Sequence, residues 1–89
     1  MNDQAGQNAH GRLERARWRS RRGLLELELL LKPFALERLG ALEEARLNEY
    51  EQLLEHDDLD VYEWLMRRAE PPAALAPIVA DVRAFLELD

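Results

Sequence analysis

The run Leu24-Leu25-Glu26-Leu27-Glu28-Leu29-Leu30-Leu31-Lys32-Pro33-Phe34-Ala35-Leu36-Glu37-Arg38-Leu39 decides the fold class. Leu24, Leu27, Leu31 and Phe34 recur at intervals of three and four residues, while Glu26, Glu28, Glu37 and Arg38 lie between them. That spacing stacks apolar side chains on one face of an α-helix and predicts a helix that must bury its leucines against other elements. Pro33 falls inside the run, where a proline removes one backbone donor and crowds the preceding turn, so a kink near Pro33 is expected.

Working outward, the same period returns on both sides. Leu13 to Arg22 are good helix formers and predict a short first helix, closed by Gly23, which can take a left-handed backbone or admit a neighbouring chain closely. After Gly40, Ala41 to Glu55 places Leu47, Tyr50 and Leu54 on one face and leaves Glu43, Glu44, Glu49 and Glu51 in water. Asp57 or Asp58 can cap a fourth helix running to about Arg68, because an aspartate oxygen accepts from the free amides of a first turn. Pro71-Pro72 stops the chain, and Ala73 to Leu86 predicts a last helix with Ile78, Val82 and Phe85 inward and Pro77 near its start. With no alternating β pattern, the expectation is all-α: a small five-helix bundle.

At 89 residues the chain has room for one core. Met1 to Gly11 is polar, with neither the charged nor the apolar region of a signal peptide, and is expected to be a disordered tail ahead of a single helical domain over 12–89. No apolar stretch approaches the length of a membrane span, and the leucine run Leu29-Leu30-Leu31 ends at Lys32, so no membrane insertion is expected. The absence of cysteine removes disulfides, thiolate chemistry and cysteine-held metals, and fits a reducing compartment such as a bacterial cytoplasm.

Enzymatic chemistry has few residues to work with. Ser20 is the one serine, threonine is absent, and His10 and His56 have no metal-binding spacing. Asp57-Asp58-x-Asp60 lacks the glycine and glutamate that a calcium loop needs. No glycine-rich phosphate cradle occurs. The net charge is −6, yet Arg12, Arg15, Arg17, Arg19, Arg21 and Arg22 cluster ahead of Gly23. Such a cluster suits phosphate neutralisation and supports an alternative reading as a regulatory or antitoxin-like protein that contacts nucleic acid or a toxin, although the acidic remainder would repel a polyanion.

Two segments ask for more than packing. In Arg21-Arg22-Gly23-Leu24-Leu25-Glu26, guanidinium groups stand beside a glycine and a carboxylate, which fits a docking epitope; the plainer reading is an Arg22 to Glu26 helical pair at a helix boundary. In Asp57 to Leu65 a dense acidic cap precedes Trp64, which a bundle this small would bury.

Trp18 to Glu28, Leu31-Lys32-Pro33-Phe34, Tyr50 to Glu55 and Asp57 to Leu65, taken with their spacing, resemble the succinate dehydrogenase flavinylation factor family, over Trp18 to about Phe85. The resemblance implies five helices and a non-enzymatic, chaperone-like FAD assembly factor. Such a factor binds the flavoprotein subunit of succinate dehydrogenase, or of fumarate reductase, and promotes covalent attachment of FAD to it. It further implies that Arg22, Gly23 and Glu26, with Arg21 and Glu28 beside them, meet that client near its flavin site. Glu28 stands where the family commonly has aspartate, and His56 where some members have cysteine. No cofactor is expected to be held tightly, since FAD belongs to the client, and no metal, no nucleic acid and a monomer or weak dimer are expected.

Overall fold

A computed structural model describes the backbone of residues 4–87 and the side chains of 11–87. Among the described residues there are five α-helices and no strand: α1 Gln4–Arg19, α2 Leu25–Glu37, α3 Glu44–Leu53, α4 Asp58–Leu65 and α5 Ala76–Leu86, with single 3-10 turns at Leu39–Ala41 and Ala73–Leu75.

The central element is α2, which packs against α1, α4 and α5. Its Leu27, Leu31, Phe34 and Ala35 are buried, as the leucine spacing requires, and they meet Leu47, Tyr50 and Leu53 from α3, Val61, Trp64 and Leu65 from α4, and Ile78, Val79 and Val82 from α5. Phe34 sits at the centre, its ring 5.6 Å from both Tyr50 and Phe85. The helix runs through Pro33 without a break. The carbonyl that loses its donor there belongs to Leu29, a residue 62% exposed, so water can replace the missing bond.

Several boundaries differ from the sequence expectation, α3 beginning at Glu44 and α5 at Ala76, three residues later than expected in each case. The first helix starts at Gln4, so residues 4–11 of the expected tail continue α1, while residues 1–3 lie outside the described residues. Once the helix has formed over Gly11 to Arg19, adding residues such as Ala5, Gln7 and Ala9 costs little. It also ends at Arg19, leaving Ser20 to Leu24 as a connection and not as helix. Finally, α4 stops at Leu65: the next-but-one residue, Arg67, takes a left-handed backbone (φ 61°), its amide donates to the Trp64 carbonyl at 3.2 Å, and the Arg83 guanidinium from α5 adds bonds to the Trp64 and Leu65 carbonyls at the helix end.

The only described buried apolar residue of α1 is Ala16, and polar bonds tie this helix down. Arg12 reaches α3 with 2.7 and 2.9 Å pairs to Glu51 and Glu44, and Arg19 pairs with Glu55 at 2.8 Å. Just beyond α1, the buried Ser20 hydroxyl donates or accepts at 2.6 Å with the Tyr50 hydroxyl and lies 2.8 Å from the Ala16 carbonyl. Burial, against the opposing effect of Ser20, pushes the Tyr50 phenol up to about 12.

Candidate functional site

The connection between α1 and α2 carries the Arg21-Arg22-Gly23 segment, and its geometry is set by α4. Asp57 caps that helix, accepting from the Leu59 amide at 3.1 Å. The tandem Asp58 is thereby left for another task, and its carboxylate turns to the connection. One oxygen accepts from Arg22 Nε at 2.8 Å and the other from the Leu24 amide at 3.1 Å. Partial burial pushes the Asp58 carboxyl up, but the Leu24 amide, the Arg22 guanidinium and the Gly23 amide together outweigh it, and its pKa falls below the usual carboxylate range.

Arg22 is committed inward. Its side chain is 11% exposed, and besides Asp58 it donates from Nη1 to the Arg19 carbonyl at 2.8 Å and from Nη2 to the His56 carbonyl at 3.1 Å. Its backbone amide donates to Glu28 Oε1 at 2.7 Å. One arginine therefore joins the end of α1, the α3–α4 turn and the start of α4, with Glu28 of α2 holding its main chain. The Arg22 to Glu26 helical pair weighed from the sequence does not form, because Arg22 lies ahead of the helix and its guanidinium is occupied elsewhere.

The remaining residues face out. Glu26 is exposed on the first turn of α2, and among the described residues no hydrogen bond or ion pair involves it. Arg21 is exposed and stacks its guanidinium 4.5 Å above the ring of Trp18, itself 67% exposed. Gly23 is exposed too, and its φ is not in the left-handed region. A Cβ placed on it would lie 3.7 Å from the nearest Asp58 oxygen, an ordinary contact. The fold of this chain thus gives no reason of its own for glycine at position 23.

Around these residues lies exposed apolar surface. Leu25 and Leu29, one helical turn apart, share the outer face of α2 with Lys32 and Leu36. A shallow cavity of about 270 Å³ between α1 and α2 is lined by Arg17, Trp18, Arg21, Lys32 and Leu36, which brings the aromatic and the end of the leucine stripe to one place. Uncovered large side chains in a run, edged by charge, mark a surface that other proteins cover.

Of the five residues singled out in the sequence, the structure gathers all at the α1–α2 junction, with Arg21, Gly23 and Glu26 open to solvent and Arg22 and Glu28 engaged within the chain. Sequence reasoning missed Asp58 as the residue that organises them; the available signal was the pair of adjacent aspartates at a helix start that needs one cap. It also gave no hint that Trp18 stands outside the core. The arginine cluster is largely neutralised, since Arg12, Arg17, Arg19 and Arg22 each pair with a carboxylate. Among the described residues no group of three histidine or acidic side chains converges as a metal site. No described helix is long and apolar enough to cross a membrane.

Comparison with known proteins gives a consistent result. A family model described as the flavinator of succinate dehydrogenase matches residues 14–86. A protein named FAD assembly factor SdhE from Legionella pneumophila (strain Paris) is 42% identical over 66 residues, 74% of this chain and 84% of that protein. One of the same name from Pseudomonas aeruginosa is 44% identical over 62 residues, covering 70% of this chain and 74% of the relative. A mitochondrial succinate dehydrogenase assembly factor 2 from Meyerozyma guilliermondii is 48% identical over 44 residues, but these are 33% of its length. No solved structure matches the chain.

Proposed function

Because the chain belongs to the family of flavinators of succinate dehydrogenase, we propose that it grips the flavoprotein subunit of that enzyme with the outward surface of its α1–α2 junction. Its role is in the attachment of FAD to succinate dehydrogenase. In this reading Arg21, Gly23 and Glu26 meet the client, Trp18, Leu25 and Leu29 widen the contact, and Arg22 and Glu28 shape the surface from behind.

The observation that carries the reading is Gly23. Glycine is useful where a backbone turns left-handed or where another chain must come close, and the first reason is absent here while the chain's own atoms leave room for a side chain. Close approach from outside remains. Beside it stand a carboxylate with no internal partner, ready to accept a charge-assisted bond, and an arginine stacked on an exposed tryptophan, the residue types that dominate protein interfaces.

The chain supplies no bond-making residue of its own in this scheme. FAD and a positioned client histidine hold the chemistry, and a helper contributes by keeping the client in a productive geometry. FAD accordingly belongs to the client and not to this protein. A fumarate reductase flavoprotein is a second client of the same chemical kind, and the site of action is the bacterial cytoplasm. Against the nucleic-acid alternative, four arginines of the cluster already have carboxylate partners, which leaves little unpaired positive charge to displace counterions from a duplex.

The test is deletion of the gene followed by in-gel flavin fluorescence of the denatured succinate dehydrogenase flavoprotein. Loss of the fluorescent band, its return with this chain, and co-purification of the two proteins are expected. A client that keeps its flavin without the chain, or steeply salt-dependent binding of the chain to duplex DNA with no flavoprotein recovered, would overturn the proposal.

A further inference from the structure

Asp58 lies behind the proposed client surface and contributes to its shape without being part of it. The first turn of α4 holds this carboxylate in place, and it receives the Arg22 guanidinium at 2.8 Å and the Leu24 amide at 3.1 Å. Those two donors flank Gly23 directly, and Leu24 is the residue from which α2 starts, with Glu26 two positions on. A second carboxylate, Glu28, holds the Arg22 amide at 2.7 Å. Five residues of irregular chain between two helices would sample several conformations if left alone. Here they are held at both ends of the glycine by one acidic group from a distant part of the sequence.

Resting on the client-docking reading above, we propose that Asp58 is a positioning residue for flavoprotein capture: it fixes the Arg22-Gly23-Leu24 backbone so that Gly23 and Glu26 are presented together before the client arrives. The physical effect is preorganisation. A protein whose docking conformation is populated only part of the time binds more weakly by that fraction, although every contact in the finished complex is the same. Asp58 differs in this from Glu26, whose proposed role is a bond made in the complex itself.

The two roles separate in binding kinetics. A contact present only in the complex acts mainly on dissociation, whereas the population of the competent free state acts on association. The experiment measures association and dissociation rates of the full chain with the immobilised FAD-loaded flavoprotein subunit, for wild type, Asp58→Asn and Glu26→Gln, at a temperature where circular dichroism shows all three folded. Asparagine keeps the shape of Asp58 but cannot serve both donors as a charged acceptor. If it lowers the competent population to about a tenth, association slows about tenfold while dissociation stays within about twofold. Glu26→Gln is expected to do the opposite, speeding dissociation and leaving association nearly unchanged. Amide exchange at residues 22–26 should quicken in Asp58→Asn, with the protection of the α2 and α5 core amides retained.

Association unchanged in Asp58→Asn, with Glu26→Gln still accelerating dissociation, would refute the positioning role and leave the docking surface standing. A faster dissociation in Asp58→Asn with normal association would make Asp58 a client contact and refute the proposal in another way. If Glu26→Gln moved neither rate, the docking surface itself would be wrong. Should Asp58→Asn fail to fold, Asp58→Glu, which keeps the charge on a longer stem, carries the same test with a smaller fall in association expected.

Discussion

Replacing Arg22 by lysine keeps the charge and removes the geometry, which makes it a sharp probe of where this residue works. The guanidinium is 11% exposed and spans three acceptors on three parts of the chain: Asp58, the Arg19 carbonyl and the His56 carbonyl. A lysine ammonium is a point donor on a flexible stem and cannot reach all three from one position. Keeping the Asp58 pair while losing two bonds to carbonyls, each worth about 1 kcal/mol or somewhat more for a charged donor, gives a loss of about 2 to 3 kcal/mol. A chain of 89 residues has roughly 4 to 13 kcal/mol in total, so Arg22→Lys removes a large share of it. Urea unfolding followed by far-UV circular dichroism should show a lower midpoint at unchanged slope, and thermal melting a midpoint about 10 to 20 °C lower. Arg21→Lys, at an exposed position, should shift stability by less than about 1 kcal/mol. If Arg22→Lys were as stable as wild type and yet lost its client, the guanidinium would be reaching outward and the inward assignment would be refuted.

Further expectations follow from the same contacts. Gly23→Ala should fold with stability equal to wild type or up to about 1 kcal/mol higher, since alanine restricts the unfolded chain and the native backbone accepts it, while client binding weakens; equal binding would remove the reason given for glycine there. The folded pKa of Asp58 is depressed, so its ionised form contributes stability that is complete above the ordinary carboxylate value near 3.9 and is lost as pH falls through the lower folded value. The difference in urea midpoint between wild type and Asp58→Asn should therefore shrink below about pH 4, and a difference independent of pH would contradict this. Tyr50 has its folded value raised to about 12, so the unfolded chain releases that proton first as pH rises past about 10. Stability should fall by about 1.4 kcal/mol per pH unit between 10 and 12, an effect absent in Tyr50→Phe.

The fold was legible because a helix advertises its buried face. Leu27, Leu31, Leu47, Tyr50, Ile78 and Val82 all fall where the three-and-four spacing puts them, and Trp64 is in the core as its size demanded. The all-helical class needed nothing more than that period and the punctuation at Gly23, Gly40 and Pro71. Boundaries were less legible, since the ends of helices are settled by tertiary partners: Arg83 closes α4 from eighteen residues away, and Ser20 leaves α1 to reach Tyr50.

The candidate site is only partly legible in the sequence. The segment from Arg21 to Glu28 announces charge and close approach, but the sequence carries no sign of which arginine turns inward. That is decided by Asp58, 36 residues away from Arg22, and only the packing of α4 beside the connection brings them together. Trp18 is equally instructive: its neighbours are arginines and, among the described residues of its helix, only Ala16 is fully buried, so its ring lies outside the core, under Arg21 at the surface. The size argument that holds for Trp64 therefore does not carry over to Trp18, where the face of the helix decides.

The most direct measurement is the covalent flavin carried per flavoprotein polypeptide in cells that lack the native gene and express either this chain or its Glu26→Gln variant at equal levels. A lost charge-assisted bond at an interface lowers affinity about tenfold to a hundredfold, so a limiting helper with glutamine at 26 should leave most of the client without bound flavin. Undiminished flavin on the client, with the variant folded and present at the wild-type level, would mean that the exposed Glu26 surface is not where the client is held.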